Sequence, residues 1–405
     1  MSAILVLLAL LSVATLFARR GFAAFVAHIV TAPLLLGVGA LLSPRGLALL
    51  TPVTLAALEP AIRVAAAWSV LLVALRGSAA LRDAQQRRAT ASALSLGALT
   101  WIGLSALLYG ALSLLVDHAS LFPALRGDDK AVLGLAVLLG GVLSTTGFPF
   151  AEEALHHESS GPAARTLLTL ARHDDLFAAL AVCLTIYVWP LSSVDAPVYE
   201  VPALASLLPM VLGGMLASSL WLSSGVRMGG VSASTIALVG LITFAAGLSS
   251  ATRLPEATIA FFFGAALALF GQGSTLLGSG LHRTERPVRL VLYVLVGAQL
   301  QFYGDAVLLG VIVAMGRLML KFLLRAFLSR SEPVPLPLSA FLGSAGTTLP
   351  FAVSFVLSRG EPLEESHLLT SVAVCMAVTD LLTLITWHRR EATDSLLPPA
   401  VEEAS

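Results

Sequence analysis

The chain has 405 residues, 57% of them hydrophobic and only 12% charged, with 24 basic side chains balanced by 24 acidic ones. A typical soluble domain is about 25% charged, so this chain cannot cover a compact body with polar surface, whereas a bilayer tolerates an apolar exterior. The zero net charge leaves no electrostatic footprint for nucleic acid.

Apolar runs separated by short polar breaks predict an all-α polytopic membrane protein of about 13 transmembrane helices. The first run, Ala3–Ala18, meets Arg19-Arg20 at its end. A secretory leader carries its charge before the apolar core, so this reads as a spanning helix with its N-terminus outside. Spans follow near Phe25–Leu42, Leu58–Leu75, Ala93–Val116 and Val132–Phe150, then Ala163–Trp189, Ala203–Leu222, Met228–Leu248 and Pro255–Leu277. The last four are Val288–Phe302, Ala306–Phe327, Pro337–Leu357 and Leu368–Trp387.

With the N-terminus outside, the inner loops hold most cations, from Arg19, Arg20 and Arg76 to Arg389 and Arg390. The outer loops hold only Arg45, Arg126, Lys130, Arg253 and Arg359. This asymmetry supports a cytoplasmic C-terminus. Residues 1–390 read as one transmembrane domain and 391–405 as a short acidic tail, with no room for an attached soluble domain.

The fifth span contains Ser144-Thr145-Thr146-Gly147-Phe148-Pro149-Phe150, and the twelfth echoes it with Gly346-Thr347-Thr348-Leu349-Pro350-Phe351. Seven spans apart, the two run in opposite directions. Gly and Pro weaken a helix, and Thr hydroxyls can satisfy the backbone groups released. Paired interrupted helices in two inverted halves point to a transporter's binding site.

Charge inside lipid costs several kcal/mol and marks function. The sixth span carries Arg172-His173-Asp174-Asp175 before a long apolar run, which puts two carboxylates near mid-membrane. Adjacent helical residues point about 100° apart, so one can face a structural cation and the other a water-filled cavity. Arg317 lies deep in the eleventh span and needs an anion, for which Asp174 or Asp175 is the natural candidate. Lys321, one turn further in, can snorkel to the inner surface.

Other polar residues are weaker candidates. Asp380 lies late in the last span. Glu256 and Asp305 start helices, where an acid suits the dipole. Arg63 reads as the partner of Glu59 one turn before it. His156-His157 fall in the inner loop Glu152–Arg165 and read as solvated loop residues, with pH sensing the weaker alternative, and His28 reads as a satisfied helix histidine. Cys183 and Cys375 sit in apolar runs as small core residues. No nucleophile–base pair or metal-ligand spacing occurs, and Gly271-Gln272-Gly273 precedes no strand–helix unit. The chain is therefore expected not to be an enzyme and to need no cofactor, nor any metal beyond a transported ion.

These residues carry a resemblance. Leu34-Leu35-Leu36-Gly37 to Leu42 with Pro44-Arg45-Gly46-Leu47, the Ser144-Thr145-Thr146 triplet, Asp174-Asp175, Val294 to Leu300, Gly316-Arg317 and Gly343 to Pro350 occur in order. Over nearly its whole length the chain resembles the sodium/proton exchanger fold of the cation:proton antiporter superfamily, nearest its bacterial sodium- or potassium-proton branch. The resemblance implies two inverted repeats with crossed broken helices, a dimerisation domain, a mobile ion-carrying core and a bacterial inner-membrane location. It implies a homodimer that exchanges Na+ or K+ for H+. Asp175 would bind cation and proton in turn, and Asp174 would pair with Arg317. Thr145, Thr146, Thr347 and Thr348 would line the site. Electrogenic relatives usually carry lysine at the basic position, and electroneutral ones arginine with asparagine before the aspartate; this chain mixes the two. Arginine does not release its proton, which closes any mechanism requiring this residue to do so. The alternatives are sodium-coupled uptake of an organic anion on the same architecture and a gated potassium-efflux system.

Overall fold

The computed structural model describes residues 24–79, 87–118, 128–147, 151, 155, 162–188, 202–225, 231–269, 282–331, 336–344, 347–360, 363 and 366–394. Among them there is no strand. The expected first span Ala3–Ala18, His156-His157 and Gly271-Gln272-Gly273 lie outside the described residues.

The helices are α1 (Ala24–Leu42), α2 (Pro52–Ala79), α3 (Arg87–His118), α4 (Asp129–Ser144), α5 (Pro162–His173), α6 (Asp175–Val188) and α7 (Pro202–Gly225). They continue as α8 (Val231–Thr252), α9 (Glu256–Leu269), α10 (His282–Gly297), α11 (Gly304–Leu328), α12 (Ser339–Leu342), α13 (Thr348–Ser358) and α14 (His367–Asp394). Each expected span from the second onward overlaps a helix or a pair of helices, although several boundaries differ by about a turn or more, and Pro255–Leu277 is described only as far as Leu269. Pro52–Leu75, Thr90–Val116, Gly304–Leu328 and His367–Thr386 are long and apolar enough to cross a membrane.

Three spans are interrupted. The fifth is α4 followed by extended backbone at Thr145 (φ −60°, ψ 148°), and the twelfth is α12 followed by extended backbone at Gly343 (φ −53°, ψ 138°). Helix resumes after each break: the Ala151 N–H donates to Gly147 O and the Phe351 N–H to Thr347 O, both at 3.0 Å. The two breaks therefore share one geometry, as the Thr-Thr echo implies. The third interruption differs from the sequence expectation of one continuous sixth span. Asp174 forms a turn between α5 and α6, held by Asp174 N–H to Leu170 O (2.9 Å) and Phe177 N–H to Asp174 O (3.0 Å). The carboxylate there accepts the Thr146 N–H from the extended backbone of the first break.

Packing repeats with the same seven-span offset: α1 lies on α10, and α9 lies on α2. Both contacts rest on glycine. A Cβ at Gly39 would strike the Val294 carbonyl of α10, one at Gly297 the Leu36 carbonyl of α1, and one at Gly264 of α9 the Leu71 carbonyl of α2. Apolar association in lipid has little hydrophobic drive, so backbones must approach closely for dispersion and helix contacts to form.

α11 shows how a spanning helix divides its faces. Gly310, Val313, Ala314, Arg317, Lys321, Leu324 and Leu328 are buried, whereas Met315, Met319, Phe322, Leu323 and Phe327 are exposed. The inner stripe recurs at three- and four-residue intervals, which sends both Arg317 and Lys321 inward.

Candidate functional site

The two interrupted spans cross at their breaks. The Gly147 N–H donates to Gly343 O at 3.0 Å, and Thr145 Oγ1 and Thr348 Oγ1 share a hydrogen bond at 3.3 Å. Ser144 and Thr145 hydroxyls turn back onto the Gly141 and Val142 carbonyls, both at 3.0 Å. Breaking a helix in lipid exposes polar backbone, and these hydroxyls satisfy part of it.

The remaining carbonyls recruit cations from α11. Arg317 is 1% exposed; one terminal nitrogen donates to Thr145 O (2.9 Å) and Gly343 O (3.0 Å), and the other to Thr379 Oγ1 (3.3 Å). The guanidinium thus ties the two broken strands together and fastens them to α14. Its planar fork lets one nitrogen bridge the two carbonyls while the other reaches Thr379, which a point-like ammonium cannot do at once. Thr145 O and Gly343 O also lie at the C-terminal ends of α4 and α12, where the helix dipole favours positive charge.

Lys321 is equally buried, at 1% exposure. Its amine donates to Ser144 O and, at 2.6 Å, to Thr146 Oγ1. The expectation that it snorkels to the inner surface is therefore overturned. Lys321 sits one turn from Arg317 on the inward face of α11, and the released Ser144 carbonyl supplies a partner closer than water.

The acids occupy the other side of the crossing. Asp174 is 2% exposed and accepts the Thr146 N–H on Oδ2, while its Oδ1 has no hydrogen-bond partner. The expected Asp174–Arg317 ion pair is not formed: the two terminal nitrogens of Arg317 go to carbonyls and Thr379, and its Nε has no hydrogen-bond partner. The cation whose field acts on Asp174 is Lys321, and Thr146 is their shared neighbour. Asp175 opens α6 and accepts the Thr347 hydroxyl on Oδ1. His173, just before the pair, ties Nδ1 to Thr169 O at 2.7 Å.

All eight residues expected to form the site, Ser144, Thr145, Thr146, Asp174, Asp175, Arg317, Thr347 and Thr348, are thus buried around one crossing. Sequence reasoning missed Lys321 and Thr379. The buried stripe of α11 was a usable signal for Lys321. Nothing in the sequence marks Thr379 or the Gly343 carbonyl as partners of Arg317.

A second buried charge cluster lies elsewhere. Arg63 pairs with Glu59 (2.9 Å), as the sequence implies, but also with fully buried Glu256 (3.3 Å) and with Leu357 O (3.1 Å) at the end of α13. Ser249 Oγ donates to the same Glu256 oxygen at 2.8 Å. The Glu256 carboxylate, read from sequence as a helix-start acid, is therefore half of an ion pair between α2 and α9. Asp305 meets His367 at 3.3 Å, and His367 stacks on Tyr303. Cys183 and Cys375 are buried and free.

An all-α membrane protein with two broken helices crossed beside buried acids and bases has the architecture of an ion-coupled secondary transporter. Its fold is the sodium/proton antiporter fold: the chain superposes on the sodium proton antiporter MjNhaP1 from Methanocaldococcus jannaschii with a TM-score of 0.61. That match covers 97% of this chain and 99% of the other at 14% sequence identity. No protein-family model matches the chain, and no curated protein matches it in sequence.

Proposed function

We propose that this protein is a monovalent cation:proton antiporter that exchanges Na+ or K+ for H+ by alternating access at Asp175. The observation that carries the reading is the pair Asp174-Asp175 set against two crossed helix breaks. Asp175 is held by the Thr347 hydroxyl, and Asp174 keeps one oxygen unpartnered beside it.

A dehydrated cation needs several oxygen ligands, and a carboxylate needs either a proton or a cation to remain in lipid. Asp175 satisfies both requirements in turn. With a proton bound it is neutral; with the proton gone it takes the cation, which Asp174 Oδ1 and the hydroxyls of the broken strands help to coordinate. One carboxylate cannot hold both, and that competition couples the two gradients. Movement of the crossing relative to the surrounding helices exposes Asp175 to one side and then the other.

Lys321 takes the place that the resemblance gives to Arg317, as the cation beside Asp174. Arg317 holds the strands. The distinction matters because a buried lysine can release its proton and an arginine cannot. As proposed, the antiporter is a homodimer in a bacterial inner membrane, and the excess of cations in one set of loops favours an outside N-terminus and a cytoplasmic C-terminus.

The test is proton movement in sealed vesicles containing the purified protein, driven by added Na+, K+ or Li+, with and without a membrane potential. Wild type moves protons on addition of the transported ion, and Asp175→Asn abolishes the response. Undiminished exchange in that variant sinks the proposal.

A further inference from the structure

Asp380 of α14 is 1% exposed and mirrors the environment of Asp174. Asp174 accepts the N–H of Thr146 in the first break; Asp380 accepts the N–H of Ser344 in the second, at 3.0 Å on Oδ1. Its other oxygen accepts the Ser344 hydroxyl, also at 3.0 Å. Each broken strand thus has one acid on its freed N–H, supplied by the span that follows it.

Each strand also has a cation on its freed carbonyl. Lys321 holds Ser144 and Thr146, the strand that serves Asp174. Arg317 holds Gly343, the residue before Ser344, and Thr379, the residue before Asp380. Arg317 and Asp380 therefore grip the second break together: Arg317 holds the Gly343 carbonyl and Asp380 the N–H of the next residue, Ser344. Grouped by strand, Asp174 goes with Lys321 and Asp380 with Arg317. Asp175 is the acid left over. Arg289, whose charge also reaches Asp175, is itself paired with Glu285.

We propose that Asp380 is a positioning residue for the exchange: its carboxylate neutralises Arg317, so that the guanidinium can tie the two breaks together without opposing a cation at Asp175. The inference rests on the proposed exchange at Asp175. Arg317 cannot shed its charge, and it is bonded to Thr145 O, next to the site. At an effective dielectric of about 20, one uncompensated charge within about 12 Å weakens cation binding by about tenfold or more.

Asp380→Asn isolates this effect. The amide can still accept from the Ser344 N–H and donate to its hydroxyl, so only the charge is lost. In vesicles loaded for sodium-driven proton movement, the apparent KM for Na+ rises about tenfold or more, while the maximal rate stays within about twofold of wild type. Asp380→Glu, which restores the charge, returns KM most of the way. Ser344→Ala removes one hydrogen bond and no charge, and leaves KM as it was. A wild-type KM in folded Asp380→Asn overturns the assignment, and so does a KM rise in Ser344→Ala, the variant that keeps the test alive if Asp380→Asn fails to fold. A wild-type protein that moves no protons on cation addition overturns the exchange itself, and is distinguished by its failure before any variant is compared.

Discussion

Replacing Arg317 by methionine removes the tie between the two broken helices while keeping much of the side chain's apolar volume. Three hydrogen bonds disappear, to Thr145 O, Gly343 O and Thr379 Oγ1. Hydrogen bonds within membrane proteins average about 0.6 kcal/mol and reach about 1.7, so three cost about 2–5 kcal/mol. The charged donor raises the cost per bond, whereas Gly343 O loses less because it keeps the Gly147 N–H at 3.0 Å. Thr379 Oγ1 loses less, since it already donates to Cys375 O at 2.9 Å. Arg317→Lys should fall between, because one ammonium cannot meet both carbonyls and also reach Thr379. The assay is thermal unfolding of the purified protein in one detergent, read by loss of a monodisperse gel-filtration peak after heating. Arg317→Met should unfold several degrees below wild type, with Arg317→Lys in between. If Arg317→Met unfolds at the wild-type temperature, the guanidinium does not hold the crossing and the reasoning fails.

Lys321→Met should act on exchange more than Arg317→Lys does, because it strips the cation from beside Asp174; the pH dependence of sodium-driven proton movement should shift in Lys321→Met and be recovered substantially in Lys321→Arg only if charge, and not proton release, is what Lys321 supplies. Vesicle assays across pH, in both variants, separate these outcomes, and a pH profile identical to wild type in Lys321→Met would falsify any role in coupling. Arg63→Ala should destabilise the protein by about 3–5 kcal/mol, the cost of leaving a buried charge without its partner, because Glu256 is fully buried. Glu256→Gln in the same background should restore much of the loss, measured by the same thermal assay; no rescue in the double variant would show that the Arg63 hydrogen bond to Leu357 O dominates instead.

The sequence made the architecture legible for simple reasons. Hydropathy marks spans because lipid admits only backbone that satisfies itself, and the described helices follow those apolar runs. The breaks were legible because Gly, Pro and paired threonines interrupt helices chemically, and Thr145 and Gly343 are where extended backbone is found. The burial of Asp174, Asp175 and Arg317 was legible because each interrupts an otherwise apolar run.

Which charge meets which was decided by the tertiary structure. From sequence, Arg317 looked for an acid and Lys321 for water, since side chains are the only charged partners a sequence displays. Crossing two broken helices adds partners of another kind: freed carbonyls at Ser144, Thr145 and Gly343, and freed N–H groups at Thr146 and Ser344. Those groups bear partial charge, lie within hydrogen-bond reach, and outcompete side chains held further away. They draw Lys321 inward, take Arg317 from Asp174, and give Asp380 a place that its position late in the last span did not suggest. Sequence determined that the chain would break two helices and bury charge beside them; the geometry of the crossing determined how that charge is shared.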